Sequence, residues 1–276
     1  MNIRACMKWL GLFLGLVVLV FVAWQGLKKP LVNGDWQTQL AVPSAAEFNG
    51  NMVTVRNIRN FRYGPEEANM HPGYYDATYS LDTLKQVWYV TEPFNGQEYA
   101  AHTFLSFEFE GDKFLAITIE ARKTKTQQYS IFKGLVRTYP LIYVAADERD
   151  VVMLRANLRK DKVYVYPVKT TKDNGQKLLV DMLTTMNELP AKPVWYNTMF
   201  ANCTSRIVYH VNRVVENRVP FSWKVWLTGY ADELAYDLGL IDTTLSLEEA
   251  RKKYLITEKS NQVGDIVDYS TKIRQF

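Results

Sequence analysis

Histidine and cysteine are scarce: the 276-residue chain holds three histidines and two cysteines. Cys6 precedes a long apolar run and Cys203 lies far beyond it, so the two do not form a disulfide framework. His71, His102 and His210 are scattered, without zinc-ligand spacing, and neither a Walker loop nor a G-x-G-x-x-G occurs. No metal and no cofactor is therefore expected. Acidic residues are missing from the N-terminal stretch, where none precedes Asp35. The net charge of +4 traces to Arg4, Lys8, Lys28 and Lys29 around the apolar run; setting those aside leaves 29 basic against 29 acidic residues. A neutral remainder argues against a nucleic-acid-binding surface.

The run itself, Trp9 to Leu27, carries no charge, and Gln25 is its one strongly polar side chain. A bilayer span takes roughly 20 residues. Trp9 and Trp24 sit near the ends, as interfacial anchors do. The run exceeds the ~7–15-residue core of a signal peptide and no A-x-A-like site follows, so a retained transmembrane helix is expected. Basic residues flank both ends, which leaves the positive-inside rule nearly balanced.

Beyond the anchor (1–29), residues 30–50 read as a linker, 51–256 as the folded domain, and 257–276 as a polar tail without periodicity, expected to be unstructured. Val53–Phe61 alternates as a strand does, while Tyr63–Tyr79 reads as loop, with Gly64-Pro65 and His71-Pro72-Gly73 as turn signals. His102–Phe109 and Lys113–Ala121 predict two strands joined by Glu110-Gly111-Asp112, a three-residue hairpin. Gln86–Thr91, Pro140–Ala146 and Lys162–Val168 predict further strands. Helices are expected after Asp147 and over Asp173–Leu189, Thr204–Asn217, Lys224–Tyr236 and Leu247–Tyr254. Asp147-Glu148-Arg149-Asp150 reads as a solvated helix start. Strands and helices do not alternate regularly, which makes the fold class α+β.

Chemistry narrows to Cys203. A lone thiol in an exported domain is either a buried structural residue or a nucleophile. Asn202 predicts a helix N-cap, placing Cys203 in the first turn, where the dipole lowers a thiol pKa and backbone N–H groups can hold an oxyanion. A thiolate nucleophile needs a base. His210 is two turns along the same helix, roughly 10 Å away, and reads as a packed residue. His71 lies in a loop; His102 opens a strand and is preferred. The three-residue hairpin sets Phe109 opposite Lys113, hence His102 opposite Glu120 on the same face. Glu108 shares that face but lies roughly 20 Å along the strand, so Glu120 is the carboxylate expected to orient the ring.

The motifs Ala101-His102-Thr103-Phe104-Leu105-Ser106-Phe107, Ile119-Glu120-Ala121-Arg122, Gly134-Leu135-Val136-Arg137, Ala146 to Asp150, and Tyr196-Asn197-Thr198 through Asn202-Cys203-Thr204 resemble the Lnb N-terminal periplasmic domain family. Asn60 departs from it, at a position where relatives are expected to carry Asp. The order His, Glu, Cys also resembles circularly permuted papain-like enzymes. The resemblance implies an antiparallel sheet packed with helices and a bacterial, periplasmic domain; the apolar run adds the one anchor, expected in the inner membrane. The resemblance also implies acyl transfer through a thioester on a phospholipid or lipoprotein substrate. In that reading Cys203 is the nucleophile, His102 the base, Glu120 its orienting partner, and Asn202 shapes the oxyanion site. A cell-envelope peptidase or amidase could use the same residues, and a non-catalytic binding domain is the third alternative.

Overall fold

The computed structural model describes residues 3–66 and 69–276, with side chains from Met7 onward. The side chains of Arg4 and Cys6 fall outside that description. Helix α1 spans Ile3–Leu27, and its segment Met7–Leu27 is long and apolar enough to cross a membrane, with none of it buried. Its end touches the domain. Arg137 Nη1 donates to Gln25 O (2.5 Å) and Gly26 O (2.9 Å), and Trp195 Nε1 to Lys28 O (3.4 Å).

The expected linker is folded over part of its length. Thr38–Leu40 forms a 3-10 turn and β1 covers Ala45–Asn49. Trp36 is buried beneath the Arg122 guanidinium, 4.4 Å from its ring centre. Strand β2 (Met52–Arg59) follows the predicted alternation, with Asn57 in a positive-φ irregularity between Val55 and Ile58. The stretch read as loop instead contains β3 (Arg62–Tyr63), β4 (Met70–His71) and β5 (Tyr74–Ser80). Turn residues mark β3 and β4 because those strands are only a residue pair each. The β5 sequence YYDATYS carries its alternation in Tyr and Thr rather than in aliphatic side chains.

Next come β6 (Leu84–Phe94), β7 (Gln97–Phe109), β8 (Lys113–Ala121), α2 (Ile131–Leu135), β9 (Leu141–Ala146), α3 (Glu148–Met153) and β10 (Tyr164–Pro167). Together they order the sheet β1-β2-β9-β8-β7-β6-β10, with β5 on β2. All neighbours run antiparallel except β2 beside β9. Gly111 and Asp112 take positive φ in the predicted hairpin, and the register is the one expected, from Phe109–Lys113 to Phe104–Thr118. Helices pack on both faces. The odd-numbered residues of β7 and β8, such as Leu105, Phe107 and Ile117, meet α4 (Lys172–Glu188) and α5 (Cys203–Val214). The even-numbered ones, Phe104 and Ala116, meet Val151, Val152, Ile256, Tyr269 and Ile273. The fold is α+β, a sheet packed with helices behind one N-terminal apolar helix.

Two expectations fail here. The Asp147–Asp150 cluster is not solvated. Glu148 and Asp150 are buried, paired with Arg274 (2.8 Å) and Arg59 (2.8 Å) respectively, while Asp147 caps α3 through Arg149 N. The polar tail is also ordered, as α8 (Thr257–Val263) and α9 (Tyr269–Lys272). Its anchors Tyr269 and Ile273 are fully buried against the sheet. The two meet at one contact: Arg274 of the tail is the counter-ion of Glu148. Between them, Lys224–Tyr236 is broken into two 3-10 turns and α6 (Ala231–Asp237), whereas α7 covers Leu247–Tyr254 as expected.

Candidate active site

Helix α5 begins at Cys203 because Asn202 caps it. Asn202 Oδ1 accepts from Ser205 N (2.7 Å), and Ser205 Oγ accepts from Asn202 N (2.9 Å). The other end of the amide donates to Thr198 O (2.7 Å). Asn202 is thus committed to shaping the turn, which leaves the N–H groups of Cys203 and Thr204 outside the intrahelical ladder. Ile207 and Val211 then carry the apolar stripe that seats the helix on the sheet.

The thiol lies where the sheet opens. The β7–β8 ladder stops at Phe104–Thr118. Beyond it, β7 is met by the turn Thr228–Tyr230. Thr228 Oγ1 accepts from Ala101 N (2.8 Å) and donates to Ala101 O (2.7 Å). Gly229 is required there, since a Cβ would fall 1.9 Å from Glu98 O. Cys203 Sγ faces the same carbonyl, Ala101 O, at 3.9 Å, and Thr103 Oγ1 bonds Thr204 Oγ1 at 2.9 Å.

His102 lies between those two contact residues, on the opposite face, where it neighbours Phe104. Its Nε2 is 2.7 Å from Thr118 Oγ1 and 3.3 Å from Glu120 Oε1. The predicted His102–Glu120 juxtaposition is therefore present two residue pairs beyond the ladder's end. Thr118 Oγ1 donates to Glu120 Oε1 (3.0 Å), so it accepts from His102 Nε2–H. That arrangement assigns the free lone pair of the neutral ring to Nδ1. No hydrogen bond joins Cys203 to His102 among the described residues. His71 is exposed on β4, and His210 is fully buried between Tyr143 Oη (2.6 Å) and Asp181 Oδ2 (2.7 Å). Their positions fit the packed reading of His210 and bring neither ring to the thiol by any hydrogen bond.

Sequence reasoning missed the surroundings of the pair. Thr118 could have been found from β8 parity, two residues before Glu120. Arg155 had no local signal. It sits in the π-helical turn Leu154–Leu158, ion-pairs with buried Glu92, and reaches Glu120 Oε1 at 3.5 Å. Burial holds the His102 pKa down at about 4, with Glu120 pulling the other way. Glu120 is raised by burial, but His102, Arg155 and Arg59 more than offset this and hold it at about 2. The ring is therefore neutral and the carboxylate charged at pH 7.

Cys203 differs from expectation. Burial pushes its pKa up, and hydrogen bonding from Thr103 opposes this only in part. The helix N-terminus does not prevail because the thiol is only 6% exposed. In the resting protein Cys203 is a thiol, and its alkylation should be slow at pH 7. The rate should climb with pH through 9 without a plateau. A plateau already reached below pH 7 would instead mean a preformed thiolate–imidazolium pair.

Beside Cys203, an apolar cavity opens between the sheet and α4, α5 and α6. Tyr89, Leu105, Thr204, Ile207, Val211 and Leu234 are among its walls. Of these, Thr204 follows Cys203 in the chain, with its Oγ1 4.0 Å from Sγ.

The profile of the Lnb N-terminal periplasmic domain family matches residues 71–229, which takes in His102, Glu120 and Cys203. The chain belongs to that family. No curated protein and no solved structure matches it. An Lnb N-terminal periplasmic domain behind one apolar helix fits a single-pass membrane protein whose main domain is periplasmic.

Proposed function

We propose that this protein is an inner-membrane-anchored, cysteine-dependent acyltransferase acting on a phospholipid or lipoprotein, built as a circularly permuted papain-like enzyme. The observation that carries the reading is the thiol at the open edge of β7, against the carbonyl of Ala101, the residue before His102 of the His102–Glu120 pair, with the adjacent Thr204 in the wall of an apolar cavity. In the first step His102 Nδ1 takes the thiol proton as Sγ bonds to an ester carbonyl carbon. The ester C–O bond then breaks, and the proton passes to the departing alkoxide, which leaves as a lyso-lipid. In the second step an amine attacks the thioester, the C–S bond breaks, and the amine proton returns through His102 to Sγ. The free N–H groups at the start of α5 stabilise the oxyanion in both steps. Because His102 stands on the other face of β7 from the thiol's contacts, the thiol–imidazole contact requires the ring or the thiol to swing round the open edge of the strand when substrate enters. That is a larger change than the tightening of a long hydrogen bond.

The test is mass spectrometry of the full chain after exposure to phospholipid vesicles. Wild type should gain a hydroxylamine-labile acyl mass, and Cys203→Ser should not. An adduct discharged by water rather than by an added amine would favour the envelope hydrolase. No adduct, with alkylation slow even at pH 9, would overturn the enzyme reading in favour of an inert thiol in a binding domain.

A further inference from the structure

The most exposed aromatic side chains of the domain are not scattered. Phe132 (81%), Phe200 (69%) and Phe221 (81%) stand in water, together with Ile131, Leu135, Trp223, Leu227 and Tyr230. Isolated exposed apolar residues are ordinary, but a contiguous patch marks an interaction surface. Contacts trace the continuity. Thr198 Oγ1 donates to Ile131 O (3.0 Å) and Asn197 Nδ2 to Leu135 O (3.1 Å), joining α2 to the turn that carries Phe200. Phe200 packs edge-on against Trp226, ring centres 5.8 Å apart, and Phe221 against the same ring at 5.2 Å. Trp223 in turn meets Tyr230 at 5.2 Å.

Two of these segments are equally one-sided in composition, and the third, around α2, carries only the cations Lys133 and Arg137. No Asp, Glu, Lys or Arg lies between Lys192 and Arg206. Between Arg218 and Asp232 the one charge is Lys224, which is neutralised by Glu233 (2.7 Å) and Asp237 (2.8 Å). Trp, Tyr and Phe without charge are the side chains that settle at a bilayer's headgroup level.

The patch begins where the anchor ends. Arg137, two residues past α2, holds the last carbonyls of the apolar helix, and Trp195 holds the next turn of chain beside exposed Val194. Lys28 and Lys29 at that point supply the positive charge that anionic headgroups attract. We infer that the rim formed by Phe132, Phe200, Phe221 and Trp223 is a membrane-contact surface. It inserts into the same bilayer interface from which α1 emerges. The turn bearing Phe200 is also the turn that leads into Cys203, so insertion sets the thiol at the lipid headgroups rather than out in the periplasm. The inference rests on exposure, continuity and composition, and stands whether or not Cys203 is catalytic.

The test uses the full chain in bilayers of phosphatidylethanolamine and phosphatidylglycerol. In a Cys6→Ala, Cys203→Ser background, a nitroxide is attached at Phe132→Cys, Phe200→Cys or Phe221→Cys. Controls are Glu110→Cys and Lys113→Cys, on the hairpin at the other end of β7, roughly 25 Å from residue 102 along the strand. The three rim sites should collide more with oxygen than with a water-soluble nickel chelate, and the hairpin sites should show the reverse ratio. Nickel-dominated collision at all five sites would overturn the proposal. So would loss of collision with both agents at the rim together with dipolar broadening, because a second copy would then be covering the patch.

Discussion

Replacing Asp150 with alanine should cost about 3–5 kcal/mol of stability, the range for removing one partner of a buried ion pair. Asp150 is fully buried and accepts from Arg59 Nε (2.8 Å), Arg59 Nη2 (3.0 Å), Phe61 N (2.9 Å) and Tyr63 Oη (2.8 Å). These four donors bring β2, the chain leaving it and β3 onto the first turn of α3. Without the carboxylate, Arg59 remains 3% exposed with one backbone acceptor, Gln39 O, and an unbalanced charge. Most of the loss comes from that stranded cation rather than from the missing attraction. Thermal unfolding in detergent should show the midpoint falling by roughly 6–20 °C. Asp150→Asn keeps the side-chain volume but not the charge, and should recover little. Arg59→Met combined with Asp150→Ala removes the stranded charge and should recover much of the loss. A midpoint within a degree or two of wild type for Asp150→Ala would mean that water reaches Arg59 and that the pair does not hold these elements.

That pair also shows where sequence reading stops. The hairpin register was legible because a three-residue loop and strict alternation fix it locally, and α5 was legible because its cap and apolar stripe are adjacent in the chain. Asp150 and Arg59 are separated by 91 residues, and Glu148 and Arg274 by 126. Nothing local to Asp147–Asp150 tells a buried charge from a solvated one. The C-terminal segment was misread for a related reason. Its helices are short, and its inward-facing apolar side chains Val263, Tyr269 and Ile273 are too irregularly spaced to leave a periodic signature. At the candidate site, the placement of Asn202 and Cys203 at a helix start and of His102 beside Glu120 was legible. The ionisation of the thiol was not, because a helix N-terminus can be recognised from its cap whereas the burial that outweighs it depends on how β7 and the Thr228–Tyr230 turn close over it.

Replacing His102 with alanine should slow single-turnover acylation of Cys203 by about 10²–10⁴-fold, the usual contribution of a positioned base. The argument turns on resting protonation. Cys203 starts as a thiol, so its proton must go somewhere during attack, and Nδ1 of His102 is the lone pair that Thr118 and Glu120 leave free. The folded His102 pKa of about 4 lies below the ordinary 6.5, so falling pH protonates the ring and removes the base only near pH 4. The acid limb of the wild-type rate should therefore lie near pH 4 and disappear in His102→Ala. In Thr118→Val, Nε2–H loses its 2.7 Å acceptor and is held only by Glu120 Oε1 at 3.3 Å, so the tautomer is less firmly set. The rate should fall while the pH at which the acid limb appears moves, a shift that mere loosening of the fold would not produce. Wild-type rates in His102→Ala, with an unchanged pH profile, would leave the thiol without this base and point to proton loss directly to solvent.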